Sequence, residues 1–134
     1  MRPATLLMIA AFISGPAIGD DLSGADRLLC STLQATACRN DGECVSLLPE
    51  DLNIPQFVIV DLPAKKLRTT ATSGENRQTP IASVHKEEGQ IFLQGYELGR
   101  AFNLVIHEKS GRASFASVSD GRSVLIFSAC TPAR

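Results

Sequence analysis

The chain has 134 residues, of which 20% are charged and 5% aromatic, and its formal net charge is −1 at pH 7. This balance argues against a nucleic-acid partner, because phosphate binding needs a clustered basic surface and the only adjacent basic pair is Lys65-Lys66. The length is sufficient for one domain of ordinary size and too short for two.

The first 19 residues have the layout of a secretory signal peptide. Arg2 precedes an apolar run from Ala4 to Ile13, and Ala17 and Gly19 supply the small side chains that a signal peptidase requires. The run is shorter than the roughly 20 apolar residues that span a bilayer. We therefore predict cleavage after Gly19, and a single periplasmic or secreted domain over residues 20–134 that does not insert into a membrane.

Four cysteines remain in the mature part, an even number that predicts two disulfides in an exported chain. Their spacings lack the close pairs of structural zinc sites, so no metal is predicted. Four cysteines allow three pairings. Cys38 and Cys44 flank the turn Asn40-Asp41-Gly42, so a hairpin would bring them together, and Cys30 and Cys130 would then tie the first strand to the last.

The first half of the mature chain alternates short apolar bursts with turn residues, a pattern typical of β-strands. Pro49 to Leu52 suits a single helical turn, with proline in its first position. The most polar loop of the domain is Ser-Gly-Glu-Asn-Arg-Gln over residues 73–78. In this half we predict strands over residues 31–37, 43–48 and 57–60, and the segment 67–72 returns from the last of these.

The second half alternates more regularly, and Asp120-Gly121 is its strongest hairpin signal. We predict strands over residues 81–86, 90–96, 102–107, 112–119 and 123–129. Short connections indicate an all-β antiparallel meander, which we count as seven or eight strands. Such a meander must close into a small β-barrel or fold into a β-sandwich to cover its edges, and we favour the barrel.

These features resemble a loose group of small exported proteobacterial β-proteins. The resemblance rests on the signal peptide, the three early cysteines Cys30, Cys38 and Cys44, the stretch from Phe102 to Arg112, and the ending from Asp120-Gly121 to Cys130. It implies the fold and the exported compartment.

The chain is also similar in size, export signal, expected barrel form and late cysteine to the periplasmic lysozyme inhibitors of membrane-bound type. Those inhibitors present a Ser-Gly loop to the lysozyme active site, and Ser73-Gly74 is the matching loop here. The aromatic residue expected shortly after it is replaced by the polar run from Glu75 to Gln78.

No catalytic or cofactor signature stands out, so neither an enzymatic activity nor a cofactor is predicted. His85 and His107 are the only histidines and lie on predicted strands, and no Gly-x-Ser-x-Gly elbow occurs. A metal site built from the two histidines and Glu87 is conceivable, because adjacent antiparallel strands place side chains on one face. Solvent-exposed histidines at strand ends are the simpler interpretation.

Binding remains as the expected activity, since a barrel of eight strands either fills itself or holds one small ligand. We expect a non-enzymatic binding module of the cell envelope, for a protein partner or a small molecule, that uses the loops at one barrel end. An inhibitor of a hydrolase such as lysozyme is the alternative, and a small hydrolase is the third. The candidate binding residues are Ser73, Gly74, Glu75, Asn76, Arg77, Tyr96 and Arg100.

Overall fold

A computed structural model gives the structure of the chain and describes residues 19–133. The cleavage signal predicted over residues 1–19 lies outside this range, apart from Gly19. The described part is all-β, with two short 3-10 helices at Pro49–Leu52 and Ala71–Ser73. Its strands are β1 (Arg27–Arg39), β2 (Cys44–Leu47), β3 (Phe57–Asp61), β4 (Lys66–Thr69), β5 (Gln78–Pro80), β6 (Ser83–Glu87), β7 (Gln90–Glu97), β8 (Arg100–His107), β9 (Arg112–Ser119) and β10 (Arg122–Pro132).

All ten strands belong to one antiparallel sheet, in the order β5-β4-β3-β1-β10-β9-β8-β7-β6, with β2 paired to β1 beside this path. The predicted all-β antiparallel class is therefore confirmed, and a single curved sheet replaces the sandwich alternative. Strands β6 to β10 form the predicted meander. The early strands depart from it, because β2 and β3 pair with β1 and not with each other.

The two ends of the strand order meet at the short segment between β5 and β6. The N–H of Ile81 donates to the carbonyl of Lys65 before β4, and the N–H of Ala82 donates to the carbonyl of Gln94 in β7. The segment thus bonds to both ends of the sheet and gives it a barrel-like closure. β5 precedes the predicted strand over residues 81–86 and was not predicted, and it raises the strand number above the predicted seven or eight.

One half of the barrel interior is filled with aliphatic side chains. Leu22 closes this end: its side chain is 1% exposed and its N–H donates to the carbonyl of Glu108 at 2.7 Å. We call it the closed end. Burying side chains of this size stabilises a fold by about 1.5–3 kcal/mol each. The buried cluster here comprises Leu22, Leu28, Val60, Ile81, Ile91, Leu93 and Ile106, with Cys30 and Cys130 beside it.

Both predicted disulfides are present. Cys30 in β1 bonds to Cys130 in β10, 100 residues away, and Cys38 bonds to Cys44 across the hairpin turn. Among the described residues no cysteine is free. Such bonds persist in oxidising compartments. No helix in residues 19–133 combines the length and apolar character needed to cross a bilayer.

A buried carboxylate links three strands on the outer side of the barrel. Asp61 is 4% exposed, and its Oδ2 lies 3.3 Å from Arg27 Nε and 3.1 Å from Arg68 Nη2. The N–H of Ala64 donates to its Oδ1 at 3.0 Å and is the largest cause that lowers the pKa of Asp61. The charges of Arg27 and Arg68 lower that pKa further, while burial opposes them.

We predict that Asp61→Asn lowers the melting temperature at pH 7, and that the difference from wild type shrinks in acid. A carboxylate with a lowered folded-state pKa stabilises the fold above its unfolded pKa of about 3.9, and that contribution is lost as pH falls through the folded value. Thermal unfolding between pH 7 and pH 2 measures this. Asp41→Asn, in the exposed pair with Arg39, is the control and should change little. A pH-independent difference at Asp61 would contradict the assignment.

The long disulfide should contribute more stability than the short one. In the chain-entropy model a closed loop of about 100 residues gives about 4.7 kcal/mol and one of about seven gives about 2.4 kcal/mol. Replacing Cys30 and Cys130 by alanine should therefore cost about 2 kcal/mol more than replacing Cys38 and Cys44. At roughly 2 to 8 °C per kcal/mol, thermal unfolding of the two double variants would separate them by several degrees. Equal melting temperatures would contradict the ranking.

Candidate ligand-binding site

The end of the barrel opposite Leu22 is open, and we call it the mouth. It is surrounded by four segments: residues 52–55 after the first 3-10 helix, residues 70–77 between β4 and β5, and the hairpin turns at 97–100 and 119–122. These segments meet because β1, β7 and β9 all end here, whereas β8 and β10 begin here. The antiparallel register therefore places distant parts of the chain around one opening.

A cavity of about 270 Å³ extends inward from the mouth, and we call it the lumen. The inward positions of β9 show why it is open: Ala113, Ser117 and Ser119 are small, and Phe115 alone is large. Eight-stranded barrels are just wide enough for their own side chains to fill them. Small residues on this wall leave space where larger ones would close it.

The floor of the lumen is apolar. Phe102 of β8 and Phe115 of β9 stack with their ring centroids 5.5 Å apart. Leu104 and Ile126 line the cavity beside them and are almost fully buried. The lining is therefore charged near the mouth and mostly apolar below it, with Thr32 and Ser128 as the polar residues of the lower part.

Gly95 allows the lumen wall to close. A Cβ atom there would lie 2.7 Å from the carbonyl oxygen of Pro80 and 2.6 Å from the ring of Phe102. Separations below 3 Å are not tolerated without movement, and the Pro80 contact is to backbone. Glycine in the middle of β7 thus permits both the approach of β5 and the inward position of Phe102.

Near the mouth the cavity is lined by three arginines, Arg77, Arg100 and Arg122, and by one acid, Glu97. Glu75 and Asp120 lie in the surrounding segments but do not line the cavity. Glu97 accepts a hydrogen bond from the hydroxyl of Thr79 at 2.7 Å, and Arg77 donates to the carbonyl of Asn53 at 2.8 Å. Within residues 19–133, neither Arg100 nor Arg122 has an acidic oxygen within 4 Å. The cavity lining near the mouth therefore has an excess of positive charge, although the whole chain is close to neutral.

The predicted site residues fall at the mouth but do not all face the lumen. Arg77 and Arg100 line the cavity, whereas Tyr96 points outward and is 75% exposed. Residues 73–76 form the exposed loop beside the opening. The Ser73 hydroxyl donates to the carbonyl of Thr70 and accepts from the N–H of Glu75, so it is engaged within its own loop.

Sequence reasoning did not identify the lumen residues themselves. The sequence pattern places four of them on alternating strands without distinguishing them as lumen residues: Phe102, Phe115, Ser117 and Ser119. It gives no signal for Arg122. The signal that could have found them is the succession of small residues on the inward positions of β9. That signal becomes informative only once the barrel and its open end are known.

The two histidines lie apart from the lumen. His85 Nε2 is 3.6 Å from Glu87 Oε2 on an exposed strand, and His107 Nδ1 contacts the hydroxyl of Ser110 at 3.1 Å. In the part of the chain that the structure describes, no group of three or more His, Cys, Asp or Glu side chains could hold a metal ion.

No protein-family model matches the chain, and no curated protein or solved structure matches it either.

We predict that Gly95→Ala destabilises the protein by about 1–3 kcal/mol, the usual cost of overpacking. An ordinary strand glycine would show the opposite sign, because alanine loses less conformational entropy on folding. Denaturant unfolding measures the change, and Gln94→Ala at the adjacent exposed position should stay within about 0.5 kcal/mol of wild type. A neutral or stabilising Gly95→Ala would show that the wall of the lumen is not closely packed there.

Proposed function

We propose that the protein is a non-enzymatic exported binding module that takes a small ligand with an apolar body into the lumen. The observation that carries this proposal is the cavity of about 270 Å³, with an apolar floor and one open end. Ligand sites are typically concave and mostly apolar, with a few polar groups that fix orientation. Here the charged groups lie near the mouth, and the hydroxyl residues Thr32 and Ser128 line the cavity lower down.

The partition of the barrel interior supports this proposal. The closed end is packed with aliphatic side chains, so it supplies stability that the open half does not need to provide. Leaving cavity space in a core costs stability, about 24 cal/mol per Å³ in measured cases, unless something occupies the space. A ligand that fills the lumen would offset part of that cost.

We further propose that the protein acts in the periplasm or outside the cell, as its resemblance to small exported proteobacterial β-proteins suggests. The two disulfides support an oxidising compartment. A small exported domain with a ligand-sized lumen fits the capture of a molecule present in the envelope or its surroundings.

Inhibition of a hydrolase such as lysozyme is the second candidate, and it would use residues 73–78. One observation favours it: this exposed loop is held by hydrogen bonds to the Thr69 side chain. The Thr69 hydroxyl donates to the carbonyl of Glu75 and accepts from the N–H of Arg77. A loop that is ordered before binding loses less entropy on binding. Apart from Arg77 the loop lies outside the lumen, so a change on β9 inside the lumen should leave inhibition intact.

The lumen is tested by filling it. Ser117 faces inward opposite Phe102 and Val124, and Ser117→Leu would occupy part of the cavity. We expect the affinity for small neutral amphiphiles such as 1-octanol to fall by about tenfold or more, or about 1.4 kcal/mol, because the leucine takes space that the octyl chain would occupy. The melting temperature should be unchanged or higher, since the new side chain fills empty space. Isothermal titration calorimetry and thermal unfolding measure the two effects.

Ser114→Leu is the matched control, because Ser114 lies on the same strand but points outward. It should leave 1-octanol binding unchanged. If neither wild type nor control binds octyl compounds, the lumen is not a ligand site. Lysozyme assays with wild type and Ser117→Leu would then show whether the external loop acts instead.

A further inference from the structure

We infer that the lumen selects ligands with an anionic headgroup, which Arg100 and Arg122 bind at the mouth. The inference rests on the proposed function and adds the chemical class of the ligand: a single-chain amphiphile with one carboxylate-like head and an apolar body of about eight carbons. It follows from the register of the mouth strands, from the charges left without partners there and from the dimensions of the lumen.

The register places both arginines on the inner face at the same level. Arg122 of β10 lies opposite Ser119 of β9, and Ala101, next to Arg100 in β8, lies opposite Val118, next to Ser119. On its other side Arg100 has Glu97 of β7 as its cross-strand neighbour. Only β9 separates β8 from β10, so the two arginine backbones are two strand spacings apart, about 9 to 10 Å. Two long side chains that start at this separation can converge on one small anion between them.

The other charged side chains that line the lumen near the mouth, Arg77 and Glu97, are already engaged. Glu97 accepts the Thr79 hydroxyl, and Arg77 donates to a backbone carbonyl while Glu75 lies 3.9 Å from its guanidinium. Arg100 and Arg122 have no acidic group within 4 Å in the described part of the chain. Their donors are therefore available to a ligand. A carboxylate accepts up to four hydrogen bonds, and guanidinium groups match its geometry.

The dimensions limit the body of the ligand. Inward positions along β8 step from Arg100 to Phe102 to Leu104, and each step is about 6.6 Å, so the floor lies about 13 Å below the mouth. The cavity volume of about 270 Å³ is about nine times the volume that one water molecule occupies in the liquid. One chain of eight carbons with a small head fits this space, whereas a two-chain lipid does not.

The test compares three ligands that share the octyl chain and differ in charge: octanoate, 1-octanol and octylammonium. At pH 7 and low salt, wild type should bind octanoate about 10- to 100-fold more tightly than 1-octanol, the range expected for charge-assisted hydrogen bonds. Octylammonium should bind most weakly. Added salt should weaken octanoate binding and leave 1-octanol binding unchanged, because the mouth charges are exposed and screened.

The double variant Arg100→Gln with Arg122→Gln should lower octanoate affinity to that of 1-octanol without changing 1-octanol binding. Arg112→Gln is the matched control, since Arg112 is an exposed arginine on the outer face near the closed end and should have no effect on either ligand. Retained 1-octanol binding shows that the double variant is folded.

The outcomes separate this inference from the proposed function. Equal binding of octanoate and 1-octanol by wild type, lost in both cases in Ser117→Leu, would overturn the anionic headgroup and keep the lumen as a binding site. Absence of binding by all three octyl compounds would overturn both. Octanoate binding that survives the double arginine variant would place the anion elsewhere and overturn the assignment of Arg100 and Arg122.

Discussion

The pairing of the first strand with the last is the constraint on which the rest of this structure depends. β1 and β10 pair from Leu28 with Pro132 to Arg39 with Arg122, and the bond between Cys30 and Cys130 fixes their register near the closed end. Because side chains alternate between the two faces of a strand, a slip of one residue would exchange lumen and surface. The covalent link therefore protects the inner face of the neighbouring strands as well as the closure itself.

The same closure divides the interior into two halves with different roles. Near Cys30–Cys130 the barrel is packed and capped by Leu22, and near Arg100 and Arg122 it is open. The arginines of the mouth are exposed and the hydrophobic floor lies well inside, an arrangement that would orient the amphiphile proposed above with its head toward water.

Most of the fold class could be predicted from the sequence, because alternation, turn residues and cysteine spacing are local signals. The strand over residues 112–119 has the predicted bounds, and the helical turn at Pro49–Leu52 is confirmed as a 3-10 helix. Two features had no such signal. The first is a bulge in β1 between Thr32 and Gln34. Before the bulge the inward-facing residues are Cys30 and Thr32, and after it they are Ala35 and Ala37. The second is the change of strand partner that separates β5 from β6.

The sequence by itself thus determined the all-β architecture and the expectation of two disulfides, because these follow from residue periodicity and from the number of cysteines. Which of the three possible pairings forms was decided by the tertiary structure. It also indicated Arg77 and Arg100 as binding candidates, though only as members of polar segments. Tertiary structure alone decided that these two residues share a mouth with Arg122, and that Tyr96 faces away from the lumen. The physical reason is that a cavity is lined by side chains from strands that are distant in sequence. Its volume depends on the register, twist and closure of those strands, and a local sequence pattern encodes none of these.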